Sequence, residues 1–289
     1  MALVDTKVEV IIYTLVLFHR GKQMKAIQIG KIHEAAIISE KAIIGENATI
    51  GANVIIYDNV EIGNNTIIGP NSLIGEPLAS YYSKQNYLNP CLTIGANSLI
   101  RSGTIIYAGS NIGNNFETGH RVTIRENTEI GQNCRIGTLS DIQGFCNIGN
   151  YVRLHSNVHI GQKCTIGNFV WIFPYAVLAN DPYPPSNLLL GVTVEDFAII
   201  AIKVVVLSGI KIGRDAVIGA LSLVREDVAS EAVVLGNPAK QICTIYDIKS
   251  KYDGSTPYPW RYHFERGMPW EGIGYEMWIT SQKSEGKQE

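Results

Sequence analysis

The sequence predicts an all-β chain wound into a parallel β-helix of hexapeptide repeats, with two inserted loops and an irregular aromatic C-terminal appendage. Three observations carry this. An aliphatic residue recurs every six positions, most often Ile followed by Gly. Within each six the fifth residue is small or medium-sized and the fourth is commonly Asn. Cut at a period of eighteen, the same positions fall into columns, so three sixes make one triangular turn.

The repeat opens at Ile32 with IHEAAI, ISEKAI, IGENAT and IGANVI. It breaks after Ile74-Gly75 for EPLASYYSKQNYLNPCLT, resumes in fixed phase from Ile94 to Val177, and breaks again between Asp181 and Thr193. A last run extends from Val194 to about Asp227, giving an expectation of nine turns. Position one should point inward as a large aliphatic and position five as a smaller filler. Glycine at position two and Asn at position four are expected to take left-handed backbone at the corners. No turn buries its aliphatics alone, so the stack is cooperative and needs caps. Cys134, Cys146 and Cys164 fall at position five and read as buried thiols.

Around this core the organisation is simple. Residues 1–23 form a peripheral segment, 24–242 the β-helix, and 243–289 an appendage that holds three of the four tryptophans and packs on the prism or on an oligomer. The N-terminal run VEVIIYTLVLF is too short to span a membrane and lacks signal-peptide flanks, so a cytoplasmic protein is expected. Twenty-four basic against 26 acidic residues, none clustered, give no reason to expect nucleic acid.

The column map then shows where glycine is replaced. The first corner reads Gly95, Gly113, Gly131, Gly149, Gly167 and looks structural. The second reads Arg101, Gly119, Gly137, His155, Phe173, with Glu117, Arg135, Arg153 and Trp171 on the approaching strand and Ser102, His120, Thr138 and Ser156 just past it. The third reads Tyr107, Arg125, Gln143, Gly161, Ala179, with Asp141 and His159 before it and Glu126 and Asn180 after it. Two corners carry side chains that cost stability against glycine unless something uses them.

The repeat resembles the hexapeptide left-handed β-helix family, largely acyltransferases, over residues 32–242, and GALSLVREDVASEAVVLGNPAK resembles its last coil and exit. That resemblance supplies the handedness. More narrowly, IIYAGSNIGNNFETGHRVTIREN and the NDPYPP loop resemble N-acyltransferases of nucleotide-linked amino sugars. Those relatives act on dTDP-3-amino-3,6-dideoxyhexoses, or on dTDP-4-amino-4,6-dideoxyglucose in the anthrose pathway. The resemblance implies acyl-CoA as co-substrate, no metal, and a homotrimer with sites between subunits, where His120 of one subunit and Glu126 of the next face one cleft.

Acyl transfer to an amine needs a proton acceptor, and histidine suits the task. His120 is the expected base, with Glu126 or Glu117 steering the ammonium. Arg135 and Arg153, one turn apart, suit a nucleotide diphosphate, with Arg125, His155, His159, Asn180 and Asp181 completing the acceptor side. Ala201, Lys203, Gly219 and Lys240 lie where the family places coenzyme A. Alternatives from other classes are a sugar O-acyltransferase, a zinc hydratase using His120, His155 and His159, and a non-catalytic β-helical assembly protein.

Overall fold

The computed structural model describes residues 14–15, 18–19, 22–23, 27–28 and 31–285; the peripheral segment expected over 1–23 lies largely outside these. From Ile37 the chain winds through two- to four-residue strands into three parallel sheets, consistent with a left-handed β-helix. The face before the first corner stacks nine strands, the face before the third stacks ten, and the face between them stacks eleven. The expected nine turns hold on the first of these faces and fall one short on the other two, the middle face having ten parallel strands and an antiparallel cap. Ala232–Leu235 adds a parallel strand against Val217–Ile218, and Lys240–Thr244 then folds back antiparallel and caps the stack.

The predicted columns are the observed ladders. Glu117 pairs with Arg135, Arg135 with Arg153 and Arg153 with Trp171 on the middle face. Thr123, Asp141 and His159 pair on the next. Register jumps twice, where Ile67 pairs with Leu99 and Thr165 with Thr193, and both excursions leave from the third corner, after Leu73–Glu76 and after Val177–Leu178.

Position one and position five fill the prism: Ile100, Ile106, Ile124 and Ile142 are fully buried, and so are Val122, Cys134, Cys146 and Cys164. Buried hydroxyls at position five donate to corner carbonyls, as Ser98 does to Gly95 at 2.8 Å and Ser140 to His155 at 2.9 Å. Burial pushes the thiols of Cys134 and Cys146 up to about 11 and that of Cys164 to about 12, so none supplies a thiolate at neutral pH.

One sequence expectation is corrected. Position four is left-handed from Asn47 to Leu221, with φ of 56° at Asn115, 58° at Tyr151 and 60° at Phe169, but the position-two glycines are not, apart from Gly75 where the first loop leaves. They are there for clearance. A Cβ on Gly119 would lie 2.3 Å from the Thr138 nitrogen, and one on Gly137 would lie 2.4 Å from the His155 carbonyl carbon. Successive coils meet at the corners too closely for a side chain pointing along the stack.

A second correction concerns the first corner, which is not bland. Its position-four residues Tyr151, Phe169 and Phe197 stack ring on ring at 5.1 and 4.9 Å. The appendage docks there: Trp260, Met268, Trp270 and Tyr275 are buried against Phe169 and Phe197, and the Trp260 indole donates to the Phe197 carbonyl at 3.0 Å. Each buried aromatic removes ~150–250 Å² from water, about 4–6 kcal/mol at ~25 cal/mol/Å² as an upper estimate. Aromatic burial therefore holds the appendage on the prism. The buried Arg261–Asp215 ion pair, with the guanidinium over the Phe197 ring at 4.7 Å, fixes its register. An α-helix, Tyr275–Glu285, ends the described chain.

Candidate active site at the second corner

The parallel register lines up the charges of the middle face. Glu117 accepts a hydrogen bond from Arg101 at 3.2 Å from below and pairs with Arg135 at 3.3 Å from above, one carboxylate between two guanidinium groups. Arg153 differs from both. It is only 8% exposed, and it donates to the Asn133 carbonyl and, at 3.1 Å, to the Gly267 carbonyl of the appendage. Burial, with Arg135 adding to it, pushes its pKa down to about 10, so it remains charged at neutral pH. Its hydrogen bonds tie down the appendage.

Under that appendage lies a cavity of about 750 Å³. Arg101, Glu117, Arg135 and Trp171 form its floor, His155 its corner wall, and Phe264, Arg266 and Glu271 its roof. Glu271 bonds the Gly267 amide at 2.8 Å, whereas Arg266 forms no ion pair among the described residues. Four arginines and two carboxylates make the enclosure cationic, suited to a phosphorylated ligand. Sequence reasoning missed the roof; its only signal is Arg266 between Phe264 and Trp270 in a tail otherwise read as packing.

His120 stands at the rim. Its Nδ1 is 2.8 Å from Ser102 Oγ, and its backbone amide donates to Thr138 Oγ1 at 3.1 Å. Gly119 and Thr138, the residues beside it, line the cavity. His155 is stacked on Phe173 at 4.5 Å and 14°, and burial lowers its pKa from the ordinary 6.5. Between the lowered value and 6.5 the unfolded chain binds the proton and the folded chain does not. The stability this gives is complete above 6.5 and is lost as pH falls below it. The Tm of the wild type should therefore drop more than that of His155→Phe on acidification from about pH 7 to about pH 5.

The third-corner residues form a separate group. Glu126 holds Arg125 through two bonds of 2.7 and 3.0 Å, and Arg125 lies 4.9 Å over the Tyr107 ring. Asp141 bonds His159 at 3.2 Å and Gln143 at 2.6 Å. Burial raises the pKa of this carboxyl, but those two bonds and Arg125 outweigh it, leaving it below the usual range. Glu126, Arg125 and His159 do not line the cavity. Asp181 closes its own loop, accepting the Tyr183 amide at 3.0 Å and the Ser186 hydroxyl at 2.8 Å, while the Asn180 carbonyl accepts the Leu190 amide at 2.8 Å.

Higher on the second corner, the Phe173, Ala201 and Gly219 amides continue one ladder, donating to Ile200, Ile218 and Val234. Lys203 projects from left-handed backbone, φ 56°, and Lys240 is 3.6 Å from Glu226 on the surface. Among the described residues no group of three or more His, Cys, Asp or Glu side chains is arranged to hold a metal ion.

Comparison with known proteins identifies the repeat. The model for bacterial transferase hexapeptides (six repeats) matches residues 41–76 and 127–162. A 67-residue stretch is 42% identical to 2,3,4,5-tetrahydropyridine-2,6-dicarboxylate N-acetyltransferase from Staphylococcus aureus; it covers 23% of this chain and 27% of that protein. The chain thus matches about a quarter of the length of these curated relatives. Among solved structures, the UDP-N-acetylglucosamine acyltransferase of Arabidopsis superposes with a TM-score of 0.61 at 23% identity over 74% of both chains. That of Campylobacter jejuni superposes with a TM-score of 0.50 at 21% identity, over 74% of this chain and 75% of the other. These likenesses show the fold.

Proposed function

We propose that this hexapeptide-repeat β-helix is an acyl-CoA-dependent N-acyltransferase that acylates the amine of a nucleotide-linked amino sugar, a dTDP-amino-dideoxyhexose, and works as a homotrimer. The observation that carries the reading is the cationic cavity of the middle face, with His120 at its rim. A diphosphate fits Arg101, Arg135 and Arg266, and the sugar then extends toward the second corner. With the His120 Nδ1–H donated to Ser102, Nε2 is left as an acceptor. The amine nitrogen attacks the thioester carbonyl and the C–N bond forms. The proton passes to Nε2, the C–S bond breaks with its electron pair going to sulfur, and the imidazolium returns the proton to the departing thiolate. Ala201, Lys203, Gly219 and Lys240 continue the same corner and suit the coenzyme A arm.

The outer positions of the third face, among them Ile105, Val177, Val205 and Leu223, are aliphatics that the described residues leave half-buried. They suit a contact with a neighbouring subunit, which would bring Glu126 and Asp181 toward a cavity from another protomer.

The test is release of free thiol from acetyl-CoA in the presence of dTDP-amino-dideoxyhexoses. Release that requires the sugar amine supports the reading. Equal release with the hydroxyl analogue would make the protein an O-acyltransferase, and no release with any acceptor would end the acyltransferase assignment.

A further inference from the structure

The position-four column of the first corner changes character along its length. Asn47, Asn65 and Asn97 form a ladder of side-chain hydrogen bonds at 3.3 and 3.1 Å. Tyr151, Phe169 and Phe197 form the ring stack that the appendage covers. Between them stand Asn115 and Asn133. Their side-chain amides make no hydrogen bond among the described residues, and neither does the Tyr151 hydroxyl. This break in the ladder opens on a second cavity, of about 440 Å³, roofed by Met268 and Pro269. It shares Glu117, Arg135, Arg153 and Gly267 with the larger cavity, so the two are compartments of one groove divided by a charged ridge.

We infer that this second compartment is a nucleobase subsite; the inference rests on the nucleotide-sugar reading of the groove. The chemistry of the two compartments differs in the required sense. One is cationic. The other is lined by free amides, an unpaired phenol and the apolar Met268 and Pro269, which is what a flat heteroaromatic ring with donors and acceptors at its edge needs. Chain order gives the geometry. Asn115 closes the first corner, Glu117 stands on the strand that follows, and His120 lies just past the second corner, so the three cross the middle face in that order, ~16 Å apart at the very most. Base, diphosphate and sugar would lie along that line in the order in which they are joined. Arg153 acts as a positioning residue, because its bond to the Gly267 carbonyl holds the roof over both compartments. The appendage is then part of the binding site as well as a packed tail.

Titration calorimetry on the full chain tests this by comparing dTDP with inorganic pyrophosphate, which occupies the ridge alone. The wild type should bind dTDP at least ~10-fold more tightly. Asn115→Gly combined with Tyr151→Phe keeps the left-handed backbone and the ring stack but removes the edge groups. It should shrink the preference by about tenfold, with pyrophosphate affinity unchanged. Equal affinities in the wild type, no binding of either probe, or a preference untouched by the double variant would overturn the subsite. If the preference is absent while thiol release from acetyl-CoA persists, the subsite alone falls. If the preference is present without acyl transfer, the subsite stands and the acyltransferase reading falls.

Discussion

His120→Ala is expected to lower kcat by ~10²–10⁴-fold, the usual contribution of a positioned proton acceptor, while KM for acyl-CoA changes little. The side chain is exposed and, among the described residues, its ring bonds only the Ser102 hydroxyl, so its removal leaves the fold intact and Tm should not move. Ser102→Ala should give a smaller loss, because the ring survives and only its tautomer is released. Steady-state thiol release on the two variants checks the ranking. Full activity in His120→Ala would show that the proton leaves by another route and would remove His120 from the chemistry.

Arg261→Ala should cost about 2–4 kcal/mol of stability, because it leaves the buried Asp215 carboxylate with Arg214 alone, at 3.6 Å. Asp215 is 4% exposed and Arg261 12%, so solvent cannot replace the lost partner as it would at a surface pair. Part of the loss is packing, since the guanidinium also lies over the Phe197, Tyr262 and Tyr275 rings. The damage should be local. Hydrogen exchange should show the 260–285 amides losing protection while the coils keep theirs. Phe264 and Arg266 roof the cavity, so KM for the nucleotide sugar should rise as well. Arg261→Met with Asp215→Asn should recover much of the stability, as this site then holds no buried carboxylate. A single variant with wild-type Tm and protection would mean that aromatic burial alone docks the appendage.

The coils were legible because a six-residue period is a direct statement of geometry. Ile at position one, a small residue at position five and eighteen residues per turn leave one way to stack, and the Glu117–Arg135–Arg153 ladder follows by counting. Two things escaped. The period suggests a conformational role for the position-two glycines, whereas their cause is clearance between coils, as at Gly119. A period reports that a residue is required, not which contact requires it. The appendage was legible only as aromatic and irregular, because its contacts join residues far apart in the chain, such as Trp260 with Phe197 and Gly267 with Arg153. For the same reason, charge columns alone suggested that Arg153 was a phosphate ligand. Its burial, visible only once the tail is in place, makes it a strut.

A structure of the protein with coenzyme A and a dTDP-amino-dideoxyhexose bound together should place the diphosphate on Arg101 and Arg135, the sugar amine within hydrogen-bond reach of His120 Nε2, and the thiol arm along Ala201 and Gly219. Ligands seated instead beside Asp141 and His159, with the groove beneath the appendage empty, would contradict that arrangement.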